Sequence, residues 1–216
     1  MAVSARPRTT TRTATYLAVM AAALAGCAAA VAPQVTSWNP APVGASWAAV
    51  QRNTGSYGKD TQTTTTRLAD VDWKGSRALA IKTATGTLLQ QPADGRWLAF
   101  LGPDGKPALT WDPPAGWALP IGVGSSWKGP RKMTNMASGK TLDYEWSCTV
   151  PAYEKVTVPA GTFDAFRVEC TSSADSQDTF WVSPAVHPFL KSRSVRGPKN
   201  PFGPGTQETE LLKAPS

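Results

Sequence analysis

Three cysteines are the side chains with the widest chemical scope in this 216-residue chain, at positions 27, 148 and 170. A thiolate can attack an electrophile, ligate a metal or exchange with another thiol. The chain has a single histidine, His187. Because a zinc site needs about four clustered ligands, no metal site is expected. The sequence around each cysteine therefore has to indicate which reaction that cysteine serves.

Cys27 follows a positively charged segment and then an apolar one. Arg6, Arg8 and Arg12 are the only charged side chains before it, and residues 14–25, "ATYLAVMAAALA", carry no charge. This order is typical of a secretory signal peptide. The apolar run is shorter than the roughly 20 residues that a transmembrane helix needs. Residues 1–26 are therefore predicted to be an export signal that the mature protein lacks.

The residues Leu24-Ala25-Gly26-Cys27 resemble the lipobox of bacterial lipoproteins. The resemblance implies a diacylglyceryl group on the Cys27 thiol, cleavage before it, and acylation of the new terminus by a fatty acid such as palmitate. Two or more acyl chains anchor a protein stably, whereas one binds only marginally. Residues 27–45, which contain three prolines, are then a tether to a domain at 46–216. The alternative is a chance cysteine near the end of a plain signal peptide.

Cys148 and Cys170 each lie on the apolar face of a predicted strand. In "LDYEWSCTV" (142–150) and "FDAFRVEC" (163–170), alternate residues form an apolar set that includes the cysteine. Exported proteins enter an oxidising compartment, where disulfides persist. With Cys27 lipidated, these two thiols are the ones that remain. We predict a Cys148–Cys170 disulfide, and two free buried thiols are the alternative.

Short apolar runs separated by turn residues predict an all-β fold. The turn signals "WKGS" (73–76), "ADG" (93–95) and "PDG" (103–105) separate runs such as "RWLAFL", and Asp-Gly between alternating segments favours a hairpin. We predict an antiparallel meander that forms a curved sheet, a sandwich or an incomplete barrel. Long strands near "WAAVQRNTGSY" and "TQTTTTRLADVDW" begin it. Residues 113–135 are predicted to be a loop with a short strand near Ser126.

A second resemblance lies between the two later cysteines. The segment "VPAGTF" (158–163), followed by a strand, resembles a signature of bacterial envelope proteins of unknown function. In those proteins a stretch like "WYSPGVG-VK" follows, and here His187 and Pro188 replace the expected glycine. Four positions match: Trp181, Ser183, Pro184 and Val186. The resemblance implies a curved all-β sheet or incomplete barrel, related to lipoprotein-carrier folds, and implies no activity.

The residues of "VPAGTF" themselves predict a tight turn between two strands. Pro159 and Gly161 are turn formers, and Phe163 is expected to pack back onto the sheet. The segment is therefore interpreted as structural.

The remaining polar residues show no recognisable catalytic arrangement. The chain has no G-x-S-x-G elbow and no phosphate-binding glycine loop. His187 is interpreted as a loop or strand-end residue. Carboxylates two residues apart share a strand face, which is ordinary for the solvated side of a sheet. Such pairs are Asp70/Asp72, Asp143/Glu145 and Glu208/Glu210. We predict a protein that is not an enzyme, with no catalytic residue, cofactor or metal.

The charge distribution gives no indication of a nucleic-acid partner. Without the signal-peptide arginines, 19 basic and 15 acidic side chains leave a formal charge of +4, which is ordinary for a single domain. Residues 191–199, "KSRSVRGPK", contain four of the basic side chains. They are interpreted as a solvated strand and loop that discourage edge pairing. The alternative is a basic edge that faces anionic lipid head groups.

The combined features predict an envelope lipoprotein that acts as a non-catalytic binding or structural module. The lipid on Cys27 anchors it to the membrane, facing the periplasm or the cell exterior. Ala28 differs from the aspartate that retains some lipoproteins in the inner membrane, which favours the outer membrane by analogy with that family. An envelope protein or an apolar ligand is the expected partner. The alternative is a periplasmic carrier of a lipid or other apolar ligand in a β half-barrel.

One strand bears directly on that choice. Trp97, Ala99 and Leu101 alternate with Leu98 and Phe100, so both faces of the strand are apolar and need cover. A packed sandwich is favoured, and an aromatic-lined groove for an apolar ligand is the alternative.

Overall fold

The alternating segments fold into thirteen strands. A computed structural model describes Met1 and residues 33–117, 119–183 and 189–216. Among these residues, no helix is long and apolar enough to cross a membrane. The strands are β1 (Ser46–Gly55), β2 (Thr61–Arg67), β3 (Val71–Trp73), β4 (Ser76–Lys82), β5 (Thr87–Gln90), β6 (Trp97–Leu101), β7 (Pro107–Ala115), β8 (Ser126–Asn135), β9 (Thr141–Val158), β10 (Gly161–Ser172), β11 (Ser176–Val182), β12 (Lys191–Arg196) and β13 (Gly205–Lys213).

Most strands pair antiparallel with their neighbours in sequence, and two further pairings close the sheet. β1 pairs with β13 along most of its length, with Val50 opposite Glu210. Arg67 of β2 lies opposite Ile81 of β4. Twelve strands thus form a closed barrel, while β3 stands outside the ring and pairs with β4. The predicted antiparallel meander is confirmed, and its closure goes beyond the sandwich or incomplete barrel that the sequence suggested.

The two faces of this barrel differ in exposure. Along β8, exposed Lys128 and Lys132 alternate with half-buried Trp127, Arg131 and Met133. Directly opposed residues of neighbouring strands share a face, so the half-buried set continues around the barrel through the register of each strand pair. We call the exposed side the outer face and the half-buried side the inner face. The inner face encloses the lumen.

Connections alternate between the two ends of the barrel because consecutive antiparallel strands reverse direction. One end, which we call the mouth, has the connections 56–60, 83–86, 102–106, 136–140, 173–175 and 197–204. The other end, which we call the floor, has residues 33–45 before β1, the C-terminus after β13, and the ten-residue connection 116–125.

Residues 33–45 pack against the floor. Val35 and Ile121 exchange both backbone hydrogen bonds at 2.8 Å. Further along, Gly44 donates its N–H to the Arg67 carbonyl at 2.7 Å. The part of the predicted tether that the structure describes therefore contacts the domain.

The connection 116–125 turns into the lumen at the floor. The ring of Trp117 lies 5.1 Å from that of Phe180, an inner-face residue of β11, and 5.5 Å from that of Phe189. Ile121 is buried in the same apolar cluster. Because these side chains interlock, the floor end of the lumen is filled by the protein itself.

The β9–β10 hairpin confirms the turn predicted from "VPAGTF". Pro159 and Ala160 form a two-residue turn, and the Ala160 N–H donates to the Leu211 carbonyl at 3.1 Å. Gly161 has a φ of +136°, a conformation that strongly favours glycine. Phe163 packs against the apolar cluster that this hairpin shares with β1 and β13.

The other predicted turns also lie between strands, but two stretches differ from the predicted elements. At 73–76, Lys74 and Gly75 have φ values of 55° and 79°, as a tight hairpin requires. β8 runs for ten residues where a short strand was expected, because Pro130 fits opposite Glu145 on the outer face. The segment "TQTTTTRLADVDW" forms β2 and β3 as separate strands.

Candidate ligand-binding site inside the barrel

One side of the lumen is apolar towards the mouth. Met133 of β8 lies between Trp111 of β7 and Leu142 of β9 in the register. The rings of Trp97 and Trp111 meet edge to face at 5.7 Å. A register shift between Trp97 and Ala99 turns Trp97 to the face of Phe100, where simple alternation would put the two on opposite faces. We define the apolar wall as Trp97, Phe100, Leu109, Trp111, Met133 and Leu142. All six side chains are half-buried, and none joins the three packed clusters found among the described residues.

The wall formed by β11, β12, β13 and β1 is polar. Asp178, Ser194 and Gln207 are opposed in register and share the inner face. Gln207 donates from Nε2 to Asn53 Oδ1 at 3.0 Å. Burial raises the pKa of Asp178, against the opposing influence of the Ser194 hydrogen bond and of the Arg196 charge. The lumen is therefore amphipathic, with apolar and polar walls facing the same space.

Arg196 lies between two aromatic rings at the mouth end of the polar wall. Its guanidinium carbon lies 4.0 Å from the ring centroid of Tyr57 and 5.2 Å from that of Phe202. Burial raises the pKa of Tyr57, against the opposing influence of Arg196 and Ser194. Nη1 of Arg196 also donates to Ser56 Oγ at 3.3 Å.

Arg131 occupies the lumen between the apolar wall and the floor. It lies opposite Tyr144 in the register, and its guanidinium carbon is 5.5 Å from the ring centroid of Trp146. Nη1 donates to the Pro130 carbonyl at 2.9 Å and Nη2 to the Gly116 carbonyl at 3.4 Å. The buried Nε–H has no acceptor in the described part of the chain.

The charge of Arg131 is not matched by a carboxylate. No acidic oxygen of the described residues lies within 4.0 Å of its nitrogens. Burial lowers the pKa of Arg131, and the nearby charge of Arg96, itself paired with Asp94 at 2.7 Å, lowers it further. Burial also raises the pKa of Tyr144. A half-buried guanidinium of this kind favours an anionic group in the lumen.

The predicted disulfide is present on the inner face. Cys148 and Cys170 are directly opposed in β9 and β10, with their Cα atoms 4.0 Å apart, and both are buried. The next pairs along the same row are Trp127 with Cys148 and Cys170 with Asp178. The bridge therefore joins β9, which carries part of the apolar wall, to β10, which pairs with the first strand of the polar wall.

Two of the positions that match the envelope-protein signature, Trp181 and Ser183, lie in the described part of the chain and contact the rest of the fold. Trp181 donates from Nε1 to Glu154 at 2.8 Å, and Ser183 is buried. Cys27 and His187 lie outside the described residues, as do Pro184, Val186 and Pro188. The lipidation of Cys27 and the interpretation of His187 thus remain predictions.

The basic run 191–199 belongs to a strand within the closed sheet. Lys191 pairs with Glu210 at 3.0 Å and Arg193 with Glu208 at 3.2 Å, both across to β13. Because β12 lies between β11 and β13, the run does not form a sheet edge.

A shallow groove of about 490 Å³ runs along β7, β8 and β9. Register places its Lys132 between Asp112 and Asp143, and Lys128 lies 3.5 Å from Glu145. The predicted Asp143/Glu145 pair is thus part of an exposed, charge-compensated surface. We assign no ligand to this groove.

Comparison with known proteins finds likeness to solved structures. A Bacteroides fragilis protein named as exported and YmcC-like in fold is 13% identical, with a TM-score of 0.45 over 83% of this chain and 99% of that one. A Parabacteroides distasonis protein named as a lipoprotein is 11% identical, with a TM-score of 0.41 over 83% and 98%. The hypothetical lipoprotein YmcC from Escherichia coli is 15% identical, with a TM-score of 0.45 over 82% and 90%.

The names of these three proteins specify no ligand. No protein-family model matches the chain, and no curated protein matches it.

The site residues Arg131, Tyr144 and Asp178 were not singled out as functional from the sequence. Arg131 falls in a stretch interpreted as a loop because Gly129 and Pro130 precede it. The signal that identifies it is the alternation of Trp127, Gly129, Arg131 and Met133 with three outward residues.

Proposed function

We propose that this chain is a lipid-anchored envelope protein that binds an apolar or amphiphilic ligand in its barrel and catalyses no reaction. The apolar wall is the observation that carries the proposal. Large side chains that face the inside of a closed sheet usually pack against one another. The six side chains of the apolar wall stay half-buried instead, which is the property of a binding surface.

The energetics favour an occupant with a hydrocarbon part. Covering the apolar wall removes apolar surface from water, and each methylene of the ligand that is buried contributes about 0.8 kcal/mol. The aromatic rings of Trp97, Phe100 and Trp111 offer large areas of contact with few rotatable bonds. This geometry supports the carrier alternative over a purely structural module.

The proposed anchor would place the floor of the barrel next to the membrane. Cys27 precedes Val35 by eight residues, which span at most roughly 27 Å when extended. Val35 is fixed to Ile121 at the floor. The mouth, at the other end of the strands, would then open away from the lipid surface.

The absence of catalysis is part of the proposal and rests on the character of the lumen. Among its described polar groups, Arg131 contacts main-chain carbonyls, while Arg196 is engaged by Tyr57 and Ser56. These contacts suit recognition of a ligand.

Tryptophan fluorescence tests the proposal, since Trp97 and Trp111 lie in the apolar wall. The mature chain with Cys27→Ser, which lacks the lipid, would be titrated with dodecanol below its solubility limit. We expect a saturable change in emission. An emission spectrum that does not respond, or that changes only in proportion to added alcohol, would contradict lumen binding.

Two neighbouring positions on β8 provide a matched pair of variants. Met133→Gln places a polar side chain in the apolar wall, and Lys132→Gln places the same side chain on the outer face. Burying an amide without a partner costs about 1–3 kcal/mol. We expect Met133→Gln to weaken binding about tenfold or more and Lys132→Gln to leave it unchanged. Equal effects of the two variants would indicate binding outside the lumen.

A further inference from the structure

We propose, resting on lumen binding as the proposed function, that Arg131 binds the acidic head group of a single-chain amphiphile whose hydrocarbon chain lies along the apolar wall. Two sources share this chemistry, a fatty acid with a carboxylate and a monoalkyl phosphate.

The donors of Arg131 are the first support. A guanidinium has five N–H groups. Nη1 and Nη2 each donate to a carbonyl, of Pro130 and Gly116, while the buried Nε–H has no acceptor in the described ranges of the chain. Buried charged groups in proteins are normally paired, because an unpaired one loses hydration without compensation. An acidic ligand supplies the missing partner.

The surroundings of Arg131 match a planar, bidentate interaction. Its guanidinium lies over the ring of Trp146, and Tyr144 stands directly opposite on β9. An arginine fork recognises a carboxylate or phosphate through two parallel hydrogen bonds. The two lumen arginines differ in this respect, because Arg196 is already enclosed by Tyr57 and Phe202.

The carboxyl group of Asp178, on the polar wall, does not cancel the attraction between Arg131 and an acidic ligand. Asp178 acts electrostatically on Tyr144 from the polar wall. Burial raises the pKa of Asp178, so its negative charge is disfavoured relative to an exposed aspartate. Arg96 is the other cation that acts on Arg131, and its own charge is paired with Asp94.

The position of the apolar wall sets the direction of the ligand. Met133 and Leu142 are each two residues from Arg131 and Tyr144, on the same inner face and towards the mouth. Two residues of a strand advance about 7 Å. The acidic head is thus placed deep in the lumen, and the chain extends towards the mouth.

Three probes with the same hydrocarbon chain test this arrangement on the mature Cys27→Ser protein: dodecanoic acid, dodecyl phosphate and dodecanol. Charge-assisted hydrogen bonds contribute about 1.5–3 kcal/mol. We therefore expect at least one acid to bind about tenfold or more tightly than the alcohol. The tighter of the two acids identifies the head group.

Variants then assign the effect to Arg131. Arg131→Gln should weaken binding of the favoured acid about tenfold and leave dodecanol unchanged. Arg193→Gln removes an arginine from the outer face and should change neither. Arg131→Lys retains the charge without the fork and should keep part of the preference. It serves in place of Arg131→Gln if that variant does not unfold cooperatively.

The outcomes separate this inference from the proposed function. Equal affinity of the wild-type chain for both acids and the alcohol would overturn the role of Arg131 and leave lumen binding intact. Equal weakening of acid and alcohol by Arg131→Gln would do the same, because it would show a structural effect. If none of the three probes binds, the inference and the proposed function both fail.

Discussion

The guanidinium carbon of Arg131 lies 5.5 Å from the ring centroid of Trp146, inside a barrel where the described residues offer it no carboxylate. A charge held in this way lowers the stability of the ligand-free protein, as functional groups often do.

We expect Arg131→Met to increase the free energy of unfolding of the ligand-free protein by about 1 kcal/mol, since methionine has a similar length and no charge to desolvate. Equilibrium urea denaturation measures the change. The control Arg193→Met removes an exposed ion pair with Glu208 and should lower stability by less than about 1 kcal/mol. A clear loss of stability in Arg131→Met would show that its charge is compensated.

The disulfide should contribute strongly to stability. The double variant Cys148→Ala/Cys170→Ala removes a cross-link between residues 22 apart in sequence. In the chain-entropy model such a loop stabilises the fold by about 3 kcal/mol. Denaturation of the wild-type protein with and without reductant should show the same loss as the double variant. Recovery of both thiols fully alkylated from protein purified without reductant would contradict the bridge.

Asp178 should make the protein less stable as the pH rises. Its folded-state pKa is raised by burial, so between the ordinary carboxyl pKa of about 4 and the higher folded value the unfolded chain loses its proton first. Stability therefore falls across that window and stays reduced above it. We expect Asp178→Asn to be more stable than the wild type at neutral pH and similar to it at acidic pH. Urea midpoints measured across the window would test this, and parallel curves would refute it.

Glu210 should show the opposite dependence. Arg52 at 2.9 Å and Lys191 at 3.0 Å hold the pKa of Glu210 below its usual value. Glu210 therefore adds to the free energy of unfolding above the ordinary glutamate pKa, and this contribution is lost as the pH falls through the pKa of Glu210 in the folded protein. We expect Glu210→Gln to destabilise the protein at neutral pH, with the difference shrinking in acid. A difference that is independent of pH would point to lost packing.

Cys27 should determine whether the protein is found with membranes. We expect Cys27→Ser to abolish membrane partitioning, because it removes the thiol that receives the diacylglyceryl group. Mass spectrometry of the wild-type N-terminus should find an acylated cysteine. A free thiol at that terminus, or cleavage at another position, would remove the anchor from the proposal.

Local sequence patterns were sufficient to predict which face of a strand each side chain occupies and where tight turns lie. The alternation in 142–150 placed Cys148 on the apolar face of β9, and the register of β9 with β10 then brought it opposite Cys170. The turn at 159–160 followed from proline and glycine chemistry in the same way. These predictions needed no knowledge of distant parts of the chain.

Closure of the barrel and the site at Arg131 could not be predicted on the same basis. The pairing of β1 with β13 joins residues 150 or more positions apart in sequence, and no local pattern specifies that register. Gly129 and Pro130 indicate a turn by their own preferences, yet continuous pairing with β9 from Ser126 to Thr134 keeps β8 extended. Arg131 can be recognised as a candidate binding residue only once the fold has placed Trp146 and the Gly116 carbonyl beside it.

The pairing of β1 with β13 also has a consequence for how the protein is made. If the chain is exported from its N-terminus, as the predicted signal implies, β1 and β2 reach the folding compartment before the strand that completes their ring. Until β13 follows, the outward edge of β1 has unpaired amides and carbonyls, which attract other extended chains. Pairings between such distant segments form slowly. The ring is closed only when the first strand is joined to the last, so the lumen is complete only once β13 has paired with β1.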